Sequence, residues 1–534
     1  MSKKNTTQKA EPEESLRSLS DLSLQITVFI CGASLMSFEI IATRFLAPSF
    51  GNSIYVWGAV ISLFLGSMTI GYALGGKITE RYLASTSLPL ILIGAGAFIL
   101  LAPAIQATVC RTFEPLGARM GTLGASLLLF APASLLIAMV SPIAVHACVA
   151  EISKVGTTAG RIYAISAMGS IVGTLVTSFF LIPLLGVAGI AILLAASLFV
   201  CAIQTKVLTS GAQAVTPLIF LIAISGAITL GLHQTMAATG PKRVAYFAET
   251  PYHNVSVVDT FRDRQLRFDN FVESSIDLKP PYWSTCRYTD TFHLASLLNP
   301  DMKSVAFIGA GGGIGPREFK RFYPSLERID VVDIDPVVLE VCTDYFHLEE
   351  DEVTHLHAVD GRQFVRRSDQ KWDVVILDAF TIGGQIPFHL ATQEYFQEIS
   401  EKLTPGGVFI MNTNSALEGP LAQVYQSLHP TISKVFPHVY VYAQGYGIGI
   451  GTELTRNVIF VGVKAEEAPS IETLLDRAAQ FDASHAEGRK DLLGIAEDLI
   501  PSEESADFPK GPILTDRFNP IDTYAFRGVL RHGE

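Results

Sequence analysis

Three aspartates in the second half of the chain each follow an apolar run, where a carboxylate can face a ligand. Asp333 ends RIDVVD, Asp360 precedes Gly361 after HLHAV, and Asp378 ends WDVVILD. Carboxylates accept hydrogen bonds from ribose hydroxyls and from the adenine amino group, and they also exchange protons in general acid–base chemistry. These types and positions predict a nucleoside site with an acid or base beside it.

A glycine run supplies the second element of that chemistry. Gly309, Gly311, Gly312 and Gly313 follow the apolar run VAFI, and glycine lets a backbone approach a ligand closely. Asp333 lies about 20 residues further on, the spacing at which a carboxylate reaches ribose hydroxyls in dinucleotide-binding folds. Taken without Asp333, the glycine run could instead form a tight turn that binds no ligand.

The elements that position these residues alternate between strand and helix patterns. Runs such as VAFIGA, RIDVVDID and WDVVILDAF alternate with helical stretches, which predicts a doubly wound parallel sheet with its ligands at the carboxyl ends of the strands. The preceding VSVVDT and RQLRFDNF suit a small antiparallel sheet. We therefore expect an α/β Rossmann-like domain of the methyltransferase type with a small N-terminal β-sheet.

The first half of the chain has a different composition. Charge nearly vanishes between Leu22 and Met236, and about seven apolar segments are long enough to cross a bilayer, near 25–47, 54–75, 88–109, 121–143, 162–185, 187–205 and 216–234. The predicted organisation is a polar tail over 1–24, a multi-pass α-helical membrane domain over 25–235, a catalytic domain over 241–465, and a C-terminal helical segment and tail over 466–534.

Composition also excludes some functions. The net charge of -12 argues against nucleic-acid binding, and the six cysteines show no spacing typical of a metal site or a disulfide framework. The expected partners are the lipid bilayer and a small-molecule substrate, with no metal.

Orientation and a transport role remain alternatives. The basic residues of the N-terminal tail place that end inside by the positive-inside rule. Seven crossings would then leave the catalytic half outside, whereas we expect a bacterial inner-membrane protein with a cytoplasmic catalytic domain. The number of crossings therefore stays open. Glu39 and Arg44, ionisable groups at membrane depth, suggest either a structural ion pair or a substrate path in a transporter or sensor.

The motifs together resemble the spermidine synthase (polyamine aminopropyltransferase) family from about Glu249 to Lys464. The resemblance rests on TPYHNVSV, FDN, RYTDTFHLASLLNP, IGAGGGIGPRE, VDIDP, VDGRQF, WDVVILDAF and LTPGGVF. With apolar segments in front and ILTDRFNPID near the end, the chain looks like the membrane-fused spermidine synthase-like proteins. The resemblance also implies a homodimer.

The resemblance assigns roles to the three aspartates. It implies that Asp333 binds ribose, that Asp360 and the adjoining Gly361 contact adenine, and that Asp378 is the catalytic acid that receives the amine proton. Weaker candidates for contacts with the substrate are Tyr252, His253, Tyr288 and Asp516.

The chain departs from the family at the positions that hold amines. The family's GGGDGG loop places an amine-binding Asp where this chain has Gly312, and a second Asp after the catalytic one is replaced within Asp378-Ala379-Phe380-Thr381. Glu273 and Asp290 are possible substitutes. Loss of one partner of a buried charge pair typically costs roughly 2 to 5 kcal/mol, so a polyamine should bind poorly unless such substitutes act.

These departures favour intact S-adenosylmethionine as the substrate, with the backbone at Gly312 offering N–H groups to its carboxylate. The sulfonium would be cleaved with release of methylthioadenosine, either by internal attack that gives homoserine lactone, a lyase reaction, or by transfer to an acceptor. The alternatives are spermidine synthesis from decarboxylated S-adenosylmethionine and putrescine, and methyl transfer from S-adenosylmethionine.

Overall fold

The computed structural model describes residues 21–50, 54–149, 154–210, 243–269, 271–381, 385–485 and 491–524. The chain separates into two compact units, 1–240 and 241–534. The apolar segment expected at 216–234 lies outside the described residues.

The first unit is helical throughout its described part. Its helices are α1 (Asp21–Phe50), α2 (Ile54–Thr79), α3 (Ala84–Phe113), α4 (Gly117–Leu129), α5 (Ala131–Cys148), α6 (Val155–Val176) and α7 (Ile182–Ser210). Six helices in the described ranges are long and apolar enough to cross a membrane, by length and composition. The segment expected at 121–143 is divided between α4 and α5, and it is α5 that has the required length.

Glycines allow the helices of this unit to pack closely. A Cβ built at Gly169 of α6 would lie 2.1 Å from the carbonyl oxygen of Phe29 in α1, and one at Gly71 of α2 would lie 2.5 Å from that of Leu135 in α5. Small residues at helix contacts are typical of helices that associate in lipid. Large apolar side chains such as Leu65, Ile171 and Phe179 remain exposed, so the outer surface is apolar as well.

The second unit begins with a four-stranded antiparallel sheet, which confirms the small sheet expected from the sequence. Its strands run in spatial order β1 (Arg243–Glu249), β2 (Asn254–Asp259), β3 (Asp263–Phe268) and β4 (Phe271–Asp277). A 3-10 helix (Arg287–His293) and the short α8 (Leu294–Leu298) lead to the larger sheet.

The larger sheet has eight strands in the order β12-β10-β11-β9-β8-β5-β6-β7. The strands are β5 (Ser304–Ile308), β6 (Arg328–Asp333), β7 (Thr354–Ala358), β8 (Trp372–Leu377), β9 (Leu403–Ser415), β10 (His438–Ala443), β11 (Arg456–Val463) and β12 (Leu499–Ile500). The helices are α9 (Ile314–Phe322), α10 (Pro336–Phe346), α11 (Gly361–Arg367), α12 (Gln393–Lys402), α13 (Gln423–Ser433), α14 (Ile471–Ser484), α15 (Leu492–Ala496) and α16 (Ser502–Asp507).

The strand order creates a switch point between β5 and β8. From β5 the chain builds outward through β6 to β7, and it then returns to the other side of β5 as β8 and β9, all in parallel. Ligands of such sheets bind in the crevice beyond the carboxyl ends of the strands at this point. The α/β fold of the methyltransferase type is confirmed, with antiparallel strands β11, β10 and β12 completing one side.

Candidate active site

The register of the sheet brings the predicted residues to one crevice. Ile308 pairs with Leu377 and with Val332, so Gly309 lies beside Asp378 on one side and Asp333 on the other. Gly309 has φ +98°, and a Cβ built there would lie 2.3 Å from the carbonyl oxygen of Asp378. This close approach requires glycine at that position.

The glycine loop turns from β5 into α9 against strand β4. Gly313 has φ +66° and stands immediately before α9. The Gly312 N–H donates a hydrogen bond to the Ser274 hydroxyl at 2.9 Å, and a Cβ at Gly312 would lie 3.0 Å from the Ser274 Cβ. In this structure Ser274 already accepts the Gly312 N–H, so a substrate carboxylate would have to displace that hydroxyl to bind there.

Asp333 is held by the backbone around it. One carboxylate oxygen accepts the Ala310 N–H at 3.1 Å, and the other accepts the Asp335 N–H at 3.0 Å. Burial raises the pKa of Asp333 to about 6, although these N–H groups oppose the rise by stabilising the charged form. The carboxylate is thus fixed at the end of β6, where hydroxyl groups of a ribose could also donate to it.

Asp360 caps helix α11 and has a histidine partner that the sequence did not reveal. Its Oδ1 accepts the Gln363 N–H at 2.9 Å, and its Oδ2 lies 2.8 Å from Nε2 of His389. The adjoining Gly361 packs on β5, since a Cβ there would lie 2.3 Å from the Ile308 Cγ2.

Asp378 lies at the end of β8 and is supported by two asparagines on neighbouring strands. The Asn412 amide donates to Asp378 Oδ1 at 2.8 Å, and the Asn457 amide donates to the Asn412 side-chain oxygen at 3.0 Å. Burial raises the pKa of Asp378 to about 7, and the hydrogen bond from Asn412 acts in the opposite direction. An aspartate in this range can exchange a proton near neutral pH.

Glu273 of β4 joins this end of the crevice. Its pKa is raised to about 8 by burial first, and then by the negative charges of Asp378 and Asp269. The Tyr288 hydroxyl donates to the backbone oxygen of Glu273 at 2.9 Å, and burial followed by the charge of Asp378 raises the pKa of that tyrosine. The structure therefore brings Glu273, Tyr288 and Asp378 into one electrostatic group.

Two weaker candidates, Tyr252 and His253, lie on the side of Asp333. Tyr252 is 41% exposed, and its pKa is raised by burial and by the charges of Asp335, Asp360 and Asp333. His253 is buried, stacks on Phe268 with ring centroids 3.8 Å apart, and lies 3.5 Å from Asp335. Tyr252 thus faces the acids from an exposed position, whereas His253 is part of the packing beneath.

Two further candidates differ in their surroundings. Asp290 is half-buried in the 3-10 helix that carries Tyr288. Asp516 forms two contacts of 2.7 Å with the Arg362 guanidinium, which also binds Glu398. Asp516 therefore fastens the carboxy-terminal segment to α11. Within the described ranges, no group of three His, Cys, Asp or Glu side chains could hold a metal ion.

The strand order and the crevice define an α/β domain of the methyltransferase type. Residues 286–447, which lie in the second unit, match the model of the Spermine/spermidine synthase domain. The recognition of a spermidine synthase-like chain from its motifs is confirmed.

Proteins similar in sequence are named as polyamine aminopropyltransferases. A polyamine aminopropyltransferase of Vibrio vulnificus (strain CMCP6) is 34% identical over 171 residues, which is 29% of this chain and 55% of the relative. A probable polyamine aminopropyl transferase of Bifidobacterium longum (strain NCC 2705) is 31% identical over 195 residues, 36% of this chain and 42% of the relative. The chain spans about half the length of the curated relatives it matches.

Two solved structures that are partly similar to this chain are named as spermidine synthases. A probable spermidine synthase from Corynebacterium glutamicum ATCC 13032 is 19% identical with a TM-score of 0.40, covering 47% of this chain and 95% of that one. Spermidine synthase from Thermotoga maritima is 20% identical with a TM-score of 0.39, covering 49% of this chain and 86% of that one.

Proposed function

We propose that the second unit binds a sulfonium nucleoside of the S-adenosylmethionine type and cleaves it with release of methylthioadenosine. The observation that carries this proposal is the register that aligns Gly309, Asp333 and Asp378 at adjoining strand ends. In this arrangement Asp333 holds the ribose hydroxyls, Asp360 accepts the adenine amino group, and Asp378 lies at the reacting end. Tyr252 is proposed to cover the nucleoside.

The chemistry requires a nucleophile and a proton acceptor. An amine nitrogen forms a bond to the carbon next to sulfur, while the carbon–sulfur bond breaks and its electron pair stays on the sulfur of methylthioadenosine. The proton lost by the nitrogen passes to the carboxylate of Asp378. The sulfonium is its own leaving group, so the protein has to supply orientation and proton removal.

The surroundings of Asp378 favour a cationic amine as the acceptor. Glu273 supplies a second carboxyl group, close enough to Asp378 for its charge to raise the pKa of Glu273. An ammonium placed between them would stabilise both in the ionised form. This observation supports a small diamine such as putrescine, with decarboxylated S-adenosylmethionine as the donor, and it outweighs the absence of an acid directly after Asp378.

The glycine loop supports a second candidate reaction. At Gly312 the chain has no carboxylate that would repel the carboxylate of intact S-adenosylmethionine, and Ser274 fills the adjacent space. In this candidate the ligand's own carboxylate oxygen attacks the carbon next to sulfur and forms homoserine lactone, with the same leaving group. Asp378 would then have no proton to accept, and its removal should affect this reaction less.

Product analysis distinguishes these reactions. Detergent-purified full-length protein is incubated with intact or decarboxylated S-adenosylmethionine, with and without putrescine, and every product is identified by mass spectrometry. We expect methylthioadenosine and an aminopropylated diamine only when the decarboxylated donor and putrescine are both present. Methylthioadenosine from the intact sulfonium alone would support the lyase reaction instead, and S-adenosylhomocysteine would refute both and indicate methyl transfer.

We propose that the first unit is an integral membrane anchor, because six of its described helices have the length and composition to span and their exposed surface is apolar. If the chain crosses only at these six described helices and not at 216–234, it returns to the side on which it began. With the basic tail inside, that side is the cytoplasm. A reporter active only in the cytoplasm, fused after Glu534, should be active; an inactive fusion, with an exported reporter active instead, would contradict this orientation.

A further inference from the structure

Among the residues that the structure describes, His389 is the partner of the Asp360 carboxylate that comes from outside α11. It lies in the 3-10 helix Phe388–Leu390, with Nε2 2.8 Å from Asp360 Oδ2. The side chains are 36% and 21% exposed respectively, so both reach the solvent-accessible crevice. A carboxylate only accepts, so Nε2 carries the hydrogen of this contact.

The contact fixes the orientation of the Asp360 carboxylate. The terminal torsion of an aspartate is broad when the side chain is free. Here Oδ1 is held by the Gln363 N–H at 2.9 Å and Oδ2 by His389, so the plane of the carboxylate is set from both ends. Each oxygen keeps a further lone pair for a ligand.

The backbone that carries His389 is held in turn by a segment that we call the clasp, residues 514–521. The Asn519 amide donates to the Phe388 carbonyl oxygen at 2.7 Å. Arg362 donates to the His389 carbonyl oxygen at 3.1 Å and holds Asp516 of the clasp through two contacts of 2.7 Å. The side chain that orients Asp360 is therefore fastened by residues more than one hundred positions further along the chain.

We propose that His389 is a positioning residue for recognition of the base, and that the clasp holds it in place. The inference rests on the proposed function, in which Asp360 accepts the 6-amino group of adenine. A carboxylate fixed in this way accepts a hydrogen bond from a 6-amino group, whereas a 6-oxo group would place its oxygen against a carboxylate oxygen and be repelled. His389 thus increases discrimination between 6-amino and 6-oxo purine nucleosides.

The test compares two nucleosides on the full-length protein. Dissociation constants for methylthioadenosine and methylthioinosine are measured by calorimetry, with thermal unfolding as a check on folding. We expect the unchanged protein to prefer the 6-amino nucleoside, and His389→Leu to reduce that preference about tenfold or more, since a hydrogen bond to a charged group contributes about 1.5–3 kcal/mol. His389→Gln, whose amide can donate, should retain most of the preference.

Matched variants separate this role from general destabilisation. His357 makes the same kind of contact, 2.8 Å to Asp330, a carboxylate that is not part of the proposed site, so His357→Leu should leave the preference unchanged. Asn519→Ala loosens the clasp without removing the imidazole and should cause an intermediate loss of the preference for the 6-amino nucleoside. This variant also provides the test if His389→Leu does not fold.

The outcomes distinguish this inference from the function on which it rests. A preference that survives both His389→Leu and Asn519→Ala would overturn the role of His389 while leaving the nucleoside site intact. If the unchanged protein binds neither nucleoside, the proposed function itself is wrong, and the role of His389 falls with it.

Discussion

The support of Asp378 by Asn412 gives the sharpest test of the site. We consider Asn412→Leu, which removes the hydrogen bond of 2.8 Å to Asp378 Oδ1 and keeps a side chain of similar size. That bond stabilises the charged carboxylate and opposes the effect of burial on its pKa. Without it, burial acts alone and the pKa of Asp378 rises further above about 7.

The size of the change follows from the hydrogen bond. A bond to a charged group contributes about 1.5–3 kcal/mol, and each pKa unit corresponds to about 1.4 kcal/mol, so the rise should be about 1–2 pH units. Asp378 must be ionised to accept the amine proton, so activity is present above its pKa and lost below it. The lower limb of the pH profile should therefore move upward by about 1–2 units.

The assay is methylthioadenosine release under kcat/KM conditions from pH 5 to 10, with the donor and acceptor identified by product analysis. Thr413→Val is the matched control, because successive side chains of a strand point to opposite faces, and its profile should not move. An Asn412→Leu profile with an unchanged limb and only a lower maximum would refute the assignment of that limb to Asp378.

Three other substitutions test the crevice. Asp378→Asn should lower methylthioadenosine release about 10²–10⁴-fold. The same variant should stabilise the fold at pH 8. Because the folded pKa of Asp378 is raised to about 7, the native state is stable with a protonated carboxyl at low pH and is destabilised by up to about 4 kcal/mol as the pH rises through about 7, whereas an amide does not ionise. Equal denaturation midpoints at pH 5 and pH 8 for the two proteins would contradict this. Gly309→Ala should destabilise by about 2 kcal/mol or more, seen in chemical denaturation, because its Cβ would meet the Asp378 carbonyl oxygen and its φ is +98°. Gly312→Asp alone should lower activity with the decarboxylated donor, since its Cβ would lie 3.0 Å from the Cβ of Ser274. Combining it with Ser274→Gly should recover part of the loss, and equal kcat/KM for the single and double variants would refute this steric explanation.

The parts of the site that follow one strand and its loop could be predicted from sequence. Asp333 and Asp378 each end an apolar run, and parallel strands bring such ends to one edge of the sheet. The site's outer support could not be predicted in this way. Asn412 reaches Asp378 through the pairing of β8 with β9, and Asn457 reaches Asn412 through the pairing of β9 with β11. No local pattern reveals either register.

Other features depend on contacts between distant segments. Nothing local in PFHLA distinguishes His389 from a surface residue, and its partner Asp360 lies 29 positions earlier. Ser274 accepts the Gly312 N–H because β4 packs against the glycine loop, a contact that no local sequence pattern indicates. Asn412, a polar residue in the apolar run FIMNT, was the one available signal, since buried amides usually have a specific partner.

The protonation of the crevice explains how it can contain several acids and still fold. Burial raises the pKa values of Glu273, Asp378 and Asp333 to about 8, 7 and 6, with neighbouring negative charges adding to the rise at Glu273. Near neutral pH these carboxyls are therefore partly protonated, and their charges repel less. A sulfonium or an ammonium that enters would favour the ionised carboxylates and release their protons. The same burial that weakens these acids therefore strengthens their attraction for a cationic ligand once water has been displaced, which supports the two cationic substrates proposed for this crevice.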